Sequence, residues 1–219
     1  MDDIRDQLAH VLWIGGAPNA GKTTLARLLA GKYDLKIYNA DWHHVREHRG
    51  HQGGVPTRWN EQSMDERWVE PSPGEMADRD VANWTARFRL VVEDIRALPD
   101  VRPIVAEGPS LFPWCVRPLL RSAQQAIFLL PTPEYRVRVL ARRNRDTPAG
   151  QRTDGMTSDP ERARRNIAAR DALLKERIAA SCDELGLRWV RIDGSLDLDD
   201  SVALLEEHFG PYLPSQPNV

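Results

Sequence analysis

Short apolar runs alternate with stretches of helical periodicity along most of this chain. The runs lack the alternation of a half-exposed strand and therefore predict strands that are buried on both faces. They lie at residues 11–15, 35–40, 103–106, 126–130 and 189–192. Apolar positions spaced three or four residues apart predict helices between them. These helices are expected at residues 21–32, 81–98, 160–185 and 199–209. Strands that alternate with helices predict an α/β fold with a five-stranded parallel sheet and helices on both faces.

One segment between the second and third predicted strands breaks this regularity. Residues 41–75 show no sustained periodicity and contain breakers such as Gly53-Gly54 and Pro71-Ser72-Pro73-Gly74. They also contain four histidines and three tryptophans. We interpret the segment as an insertion over the sheet.

Composition narrows the class of protein without naming a function. The 219 residues carry 30 Lys and Arg against 32 Asp and Glu, a net charge of −2 that argues against general polyanion capture. Apolar runs are too short for a membrane span, and the first ten residues do not resemble a signal peptide, so we expect a cytoplasmic protein. Cys115 and Cys182 stand alone, which disfavours a disulfide framework or a thiolate metal cluster. We expect one domain over residues 1–209, followed by a Pro-rich tail over 210–219.

The strongest motif lies between the first predicted strand and its helix. Residues 16–23 match GxxxxGK[ST], whose glycines allow backbone N–H groups to surround a polyphosphate at the positive end of a helix. Lys22 would place its charge beside the β and γ phosphates, and the Thr23 hydroxyl would coordinate Mg²⁺. The predicted nucleotide-binding residues here are Gly16, Ala17, Pro18, Asn19, Ala20, Gly21, Lys22, Thr23 and Thr24.

Because of this motif and its position between a predicted strand and a predicted helix, the chain resembles the P-loop kinases of the nucleoside-monophosphate-kinase-like group. That group includes shikimate and gluconate kinases, chloramphenicol phosphotransferase, zeta toxins and polynucleotide kinase domains. The resemblance covers most of residues 8–209 and implies a five-stranded parallel sheet, an acceptor-binding region after the second strand and a lid late in the chain. It also implies transfer of the γ-phosphate of ATP, with Mg²⁺, to a hydroxyl group.

An aspartate follows the second predicted strand, at the sheet edge where ligands gather in open α/β folds. Asp41 could deprotonate or orient an acceptor hydroxyl for attack on the γ-phosphorus. Zeta toxins and polynucleotide kinase are similar in having an aspartate there and an arginine a few residues later, which would be Arg46. The alternative is that Asp41 caps a helix over residues 42–49.

Glu107 closes the third predicted strand. It resembles the acidic position that holds Mg²⁺ through water in many P-loop proteins, although aspartate is commoner there. An unpaired carboxylate is rarely buried after an apolar run, so we expect Glu107 to contact the metal or the acceptor. A structural salt bridge is the alternative.

The insertion contains further candidate groups. His43, His44, His48 and His51 lack the cysteines or the HExxH pattern of a zinc site, so metal ligation is disfavoured. Trp42, Trp59 and Trp68 could stack on an acceptor, with Arg58 and Arg67 holding an anionic group. Packing of the tryptophans within a small lobe is an equally supported interpretation.

Arginine is concentrated late in the chain. Residues 136–170 contain ten arginines and four acidic residues, a charge of +6. In the kinases that the chain resembles, a lid lies here and closes arginines over the phosphates. We place the lid at residues 142–158 and expect Arg142 and Arg145 to stabilise the developing charge. A solvated basic face with pairs such as Glu161–Arg165, or a contact with a nucleic-acid backbone, is the alternative.

The loop after the last predicted strand completes the site. Asp193 and Gly194 match in position the loop that runs beside adenine in the resembling kinases. ATP is favoured over GTP because no NKxD segment is present.

The leading interpretation is an ATP- and Mg²⁺-dependent kinase with a small-molecule hydroxyl acceptor. A nucleoside-monophosphate kinase, and a slow ATPase that switches a protein or RNA partner, remain open, as does the oligomeric state.

Overall fold

The five apolar runs form five strands of one parallel sheet in the computed structural model, which describes residues 3–48, 59 and 61–215. The strand order is β2-β3-β1-β4-β5. The strands are β1 (Val11–Gly16), β2 (Lys36–Asn39), β3 (Ile104–Glu107), β4 (Ala126–Pro131) and β5 (Arg188–Ile192). The predicted five-stranded parallel α/β fold is confirmed, and each strand lies within one or two residues of its predicted bounds.

Helices connect the strands. Within the described residues they are α1 (Ile4–Gln7), α2 (Lys22–Tyr33), α3 (Ala40–Arg46), α4 (Met64–Trp68), α5 (Pro73–Ala97), α6 (Pro113–Val116), α7 (Pro133–Asn144), α8 (Pro160–Leu185) and α9 (Leu198–Phe209). Asp159 caps α8, and Gly186 ends it in a left-handed conformation. Short 3₁₀ turns at Ala149–Gln151 and Asp154–Met156 interrupt the predicted lid segment.

Each face of the sheet has its own hydrophobic core. On one face, side chains of α5 and α8 such as Ile95 and Ile178 pack with alternate strand residues such as Trp13. On the other face, α2 and α9 contribute Leu29 and Phe209 against the intervening strand residues. Side chains of successive strand residues point to opposite faces, so a strand between two helical layers must be apolar throughout. This is why the central strands β1, β3 and β4 are buried along their whole length. The edge strands β2 and β5 differ from the expectation of burial on both faces, because each has a neighbour on one side only and includes exposed residues.

Two helix starts within the insertion differ from the prediction. The long helix α5 begins at Pro73, eight residues before its predicted start at residue 81. Ser72 accepts a hydrogen bond from the Glu75 backbone while the Glu75 side chain accepts one from Ser72, which is a capping box with proline at the first helical position. Residues read as breakers therefore start a helix. The short helix α4 has a second capping box, between Ser63 and Glu66.

The parallel register brings three strand ends to one edge of the sheet. Asn39 of β2 and Ile14 of β1 both pair with Glu107 of β3. The residues after these positions, including the phosphate loop at residues 16–23, therefore meet at the carboxyl edge of the sheet, where open α/β folds bind ligands.

No helix in the described part of the chain is long and apolar enough to cross a bilayer. Cys115 is half-buried and Cys182 is buried, and neither forms a disulfide. Burial raises the pKa of Cys115 to about 11 and that of Cys182 to about 12, so both thiols stay protonated at neutral pH.

Candidate functional site

The phosphate loop follows β1 through three residues with left-handed backbone angles. Gly16, Asn19 and Gly21 have φ values of 117°, 63° and 82°. A Cβ atom on Gly16 would lie 2.2 Å from the backbone oxygen of Leu129, which allows only glycine there. The loop is tied to β4 by a 3.1 Å hydrogen bond from the Ala17 amide to the same oxygen. The sequence prediction of a strand, a glycine-dependent loop and a helix is confirmed.

Lys22 lies inside this loop. Its Nζ donates to the backbone oxygen of Gly16 at 3.2 Å and to that of Ala17 at 2.7 Å, and only 6% of the residue is exposed. Burial lowers the pKa of Lys22 to about 8, although the negative charges of Glu107, Asp41 and Asp171 act in the opposite direction. The ammonium group is therefore held at the centre of the loop, among carboxylates contributed by three other elements.

Thr23 and Glu107, the two predicted metal-binding residues, are in direct contact. The Thr23 hydroxyl donates a hydrogen bond of 2.9 Å to Oε1 of Glu107. Burial raises the pKa of Glu107, while the Thr23 hydrogen bond and the Lys22 charge lower it. Carboxylate and hydroxyl oxygens at the end of a helix and a strand are ligand types suited to Mg²⁺, so this pair fits such an ion.

Sequence reasoning missed the third member of this group, Asn39. Its Nδ2 donates to Oε1 of Glu107, and its Oδ1 accepts a 2.7 Å hydrogen bond from the Trp42 amide. One amide side chain thus orients the Glu107 carboxylate and caps α3. The signal was present in the sequence as an asparagine directly before a helix.

Asp41 lies in the first turn of α3, exposed at the carboxyl edge of the sheet. The proposed capping role of Asp41 is wrong, because α3 begins at Ala40 and Asn39 caps it. Gly108 lies against the start of this helix: a Cβ there would be 3.0 Å from Cβ of Ala40. The charge of Asp41 raises the pKa of both Glu107 and Lys22, which places the three groups within electrostatic reach of one another.

A depression of about 290 Å³ opens beside Asp41. The guanidinium of Arg46 lies 5.6 Å from the ring centroid of Trp42 on its rim. The structure therefore brings the predicted residues Asp41, Trp42 and Arg46 to one cavity, whose lining is completed by Asn39 and Val45. Arg58 and His51 lie outside the described residues.

The predicted lid arginines lie at and after the end of α7. Arg142 and Arg145 are exposed. The neighbouring residue Arg143 instead reaches the phosphate loop, where its Nη1 donates to Oδ1 of Asn19 at 2.7 Å. The alternative interpretation of a basic surface also has support in the expected Glu161–Arg165 pair, whose atoms are 2.9 Å apart.

The loop after β5 contains the two residues predicted to lie beside adenine. Gly194 has a φ of 84°, and Oδ1 of Asp193 accepts a 2.9 Å hydrogen bond from the Ser195 amide, which lowers the pKa of Asp193. Arg138 of α7 donates to the backbone oxygen of Asp193 at 2.6 Å. The loop is thus fixed to the helix that carries Arg143.

Two of the insertion histidines connect α3 and the residues directly after it to α5. His48 is buried, and its Nε2 lies 2.8 Å from Oδ2 of Asp94, which also accepts a 2.6 Å hydrogen bond from the Tyr38 hydroxyl. His44 Nε2 lies 2.9 Å from Nη1 of Arg87. Burial and the Arg87 charge lower the pKa of His44 to about 4, so it is neutral at physiological pH.

A buried network of ions links α5, α7 and α8, and no motif in the sequence indicated it. Arg170 makes ion pairs with Asp80 and, at 2.9 Å, with Asp171. Asp171 is also paired with Arg136, whose Nη2 lies 2.6 Å from its Oδ2. The Arg170–Asp80 and Arg136–Asp171 pairs join residues far apart in sequence, so spacing alone could not reveal them.

Comparisons with known proteins support the fold. No family model and no curated protein matches the chain. Among solved structures, TT1252 from Thermus thermophilus matches with a TM-score of 0.50 and 18% identity, over 90% of this chain and 96% of that one. Shikimate kinase from Acinetobacter baumannii in complex with shikimate matches with a TM-score of 0.46 and 16% identity, over 93% of this chain and 95% of that chain. An uncharacterized protein from Eubacterium ventriosum matches with a TM-score of 0.45 and 12% identity, over 91% of this chain and 98% of that chain. The likeness to TT1252 shows a shared fold.

Proposed function

We propose that this protein transfers the γ-phosphoryl group of ATP to a hydroxyl group of a small-molecule acceptor. One observation carries the proposal: Lys22, Thr23, Glu107 and Asp41 lie together at the carboxyl edge of the sheet, although they come from two helices and a strand end. The phosphate loop alone would fit any nucleotide-binding protein. A carboxylate beside the place where the γ-phosphate would lie adds a group that can act on an acceptor.

Asp41 and Lys22 have different roles in the proposed reaction. The acceptor O–H bond breaks and its proton passes to the Asp41 carboxylate. A bond forms between the acceptor oxygen and the γ-phosphorus while the bond from that phosphorus to the β–γ bridging oxygen breaks, which leaves ADP. Lys22 and the loop amides hold the β and γ phosphates during this exchange.

Thr23 and Glu107 would hold Mg²⁺, Thr23 directly and Glu107 directly or through water. The ion would neutralise charge on the β and γ phosphates. The hydrogen bonds that Glu107 accepts from Thr23 and Asn39 fix the orientation of its carboxylate. Asp193 and Gly194 are proposed to border the adenine, and Arg46 to contact the acceptor.

Arginines of α7 and the lid segment are proposed to complete the site. Arg142 and Arg145 remain candidates for charge stabilisation, and the contact between Arg143 and Asn19 adds a third. A guanidinium that already reaches the phosphate loop needs little movement to contact a bound phosphate.

The test is ATP consumption by the purified protein over a panel of hydroxyl-bearing metabolites. Asp41→Asn is expected to keep ATP affinity and to lower kcat roughly 10²–10⁴-fold, since a positioned base contributes that much. Lys22→Ala should abolish transfer. Lys32→Ala, at the other end of α2 and paired on the surface with Glu206, is the matched control and should retain activity. An unchanged rate for Asp41→Asn would contradict its role as the base.

The same panel separates the two rival functions. Formation of a nucleoside diphosphate from a nucleoside monophosphate would identify a nucleoside-monophosphate kinase. Slow hydrolysis that no acceptor accelerates would favour a nucleotide-dependent switch. Asp41 lines a shallow depression that could admit part of an acceptor, which favours transfer to an acceptor over a switch.

A further inference from the structure

A cluster of arginine and tryptophan side chains lies where α4, α5 and α8 meet. This Arg–Trp cluster consists of Trp59, Arg67, Trp68, Arg79 and Arg170. The guanidinium carbons of Arg67 and Arg79 each lie 4.8 Å from the ring centroid of Trp59, and that of Arg170 lies 5.4 Å from the centroid of Trp68. The two indole rings meet edge to face at 5.4 Å.

Two of these guanidinium groups retain unused hydrogen-bond donors. Arg67 donates to the backbone oxygen of Trp59, and Arg79 donates to that of Arg67 at 3.0 Å. Neither forms an ion pair with a carboxylate among the described residues, and the Nε atoms of both are buried without an acceptor. Because each guanidinium has five N–H donors, these two groups could together accommodate several acceptor oxygens.

The charge around the cluster is also unbalanced. Asp80 pairs with Arg170, and Asp171 is shared between Arg170 and Arg136, so these two carboxylates pair with two guanidiniums and leave those of Arg67 and Arg79 without an ion pair among the described residues. Burial lowers the pKa of Arg79, and repulsion from Arg170 and Arg67 lowers it further, against the attraction of Asp80. Cation–π contacts offset part of the cost of burying such charges, but an anion would offset more.

The cluster is connected to the phosphate-transfer site through α8. Arg170 is followed on this helix by Asp171, whose charge raises the pKa of Lys22 in the phosphate loop. Nδ2 of Asn166, one turn earlier, lies 3.1–3.2 Å from the backbone oxygens of Trp68, Val69 and Pro71. Residues 68–71, which follow Arg67 of the cluster, are therefore hydrogen-bonded to α8, the helix whose Asp171 acts on Lys22 of the phosphate loop.

We propose that the Arg–Trp cluster binds an anionic group of the acceptor, either a phosphate or a carboxylate. This inference rests on the proposed function and adds the chemical class of its substrate. The unused N–H donors of Arg67 and Arg79 supply the hydrogen bonds, and the indole rings restrict the access of water to them. The hydroxyl that receives the phosphoryl group would belong to the same molecule and lie toward Asp41.

Binding is tested first, with inorganic phosphate and acetate as probes. Tryptophan fluorescence is followed during each titration while a saturating non-hydrolysable ATP analogue fills the phosphate loop. Arg79→Gln is expected to weaken binding of the better probe roughly 10–100-fold, the loss typical of a hydrogen bond to a charged group. Arg89→Gln is the matched control, because Arg89 lies on the same helix, is exposed and pairs with Glu93. Loss of probe binding when the analogue is added would overturn the proposal, because the anion would then be the nucleotide's own phosphate.

Turnover is tested next, with alcohols made in phosphate, carboxylate and neutral amide forms. The anionic forms are expected to be preferred, and the preference between phosphate and carboxylate identifies the group. Arg67→Gln and Arg79→Gln should raise KM for the anionic acceptor with little change in kcat, while circular dichroism and ATP affinity confirm that both variants fold. Equal use of the neutral form, or unchanged KM in both variants, would overturn the inference while leaving the proposed function intact. Absence of ATP binding by the wild-type protein would instead reject the proposed function.

Discussion

The Thr23 hydroxyl donates a 2.9 Å hydrogen bond to Oε1 of Glu107, which joins the first turn of α2 to the end of β3. Asn39, at the end of β2, donates to the same oxygen. Burial raises the pKa of Glu107, and its neighbours Thr23 and Lys22 favour the charged form. A carboxylate oriented in this way beside the phosphate loop is the basis of the first two predictions.

Glu107→Gln should increase the Mg²⁺ concentration needed for half-maximal ATP turnover at least about tenfold, because loss of an oriented partner of a metal site typically costs 10–100-fold. The measurement is Mg²⁺ activation at saturating ATP. Thr23→Ser, which keeps the hydroxyl, is the control and should remain close to wild type. A Glu107→Gln enzyme with unchanged Mg²⁺ dependence would assign Glu107 a structural role.

Asn39 serves two purposes that substitutions can separate. Asn39→Ala should lower the free energy of unfolding by about 1 kcal/mol through loss of the cap. Asn39→Ser should restore most of that stability, since serine also caps helices, yet raise the Mg²⁺ requirement because it cannot replace the Nδ2 donor to Glu107. Ser63→Ala, which removes the cap of α4, should cost similar stability with no effect on Mg²⁺. Equal Mg²⁺ dependence in all three variants would show that the Asn39–Glu107 contact is not used.

The lowered pKa of Lys22 predicts a pH dependence of nucleotide binding. Its pKa is about 8 in the nucleotide-free protein, so the ammonium form is present below that pH and is lost above it. ATP needs the charged form, so binding above about pH 8 should be accompanied by proton uptake and should weaken by up to about tenfold per pH unit. Calorimetry in two buffers of different ionisation enthalpy, at about pH 7 and about pH 9, measures that uptake. Its absence at the higher pH would refute the lowered pKa.

Two glycines in neighbouring elements should respond in opposite directions to alanine. Gly16→Ala would place a Cβ atom 2.2 Å from the Leu129 oxygen in a backbone conformation that alanine rarely adopts, and should destabilise the protein by more than about 1 kcal/mol. Gly31→Ala, exposed in the last turn of α2 with nothing within 4 Å, should stabilise it by up to about 0.5–1 kcal/mol. Urea denaturation of both variants tests this. A Gly16→Ala protein as stable as wild type would mean that the loop can move away from β4.

The sequence predicted those parts of the site that depend on local spacing. The phosphate loop is a contiguous pattern, and Asp41 and Glu107 could be placed because parallel strands end at one edge of the sheet. Ser72 and Glu75 show the limit of this approach even for local signals. Proline and glycine between them suggested a loop, although the serine and glutamate are correctly spaced for a capping box.

Contacts between distant segments could not be predicted in the same way. Arg143 and Asn19 are 124 residues apart, and which arginine of α7 reaches the loop depends on the rotation of that helix about its axis. The Arg170–Asp80 pair is separated by 90 residues. Charge content drew attention to the arginine-rich region, but only the packing of α5, α7 and α8 decides which charges meet.

Lys22 also has a thermodynamic effect on nucleotide association. By bridging the carbonyl groups of Gly16 and Ala17, its side chain holds the surrounding backbone in a defined conformation before any ligand arrives. The conformational entropy of that segment is therefore lost when the chain folds. A polyphosphate therefore binds to a loop that is already ordered. Less of the interaction energy is used to order the loop, so more of it contributes to affinity.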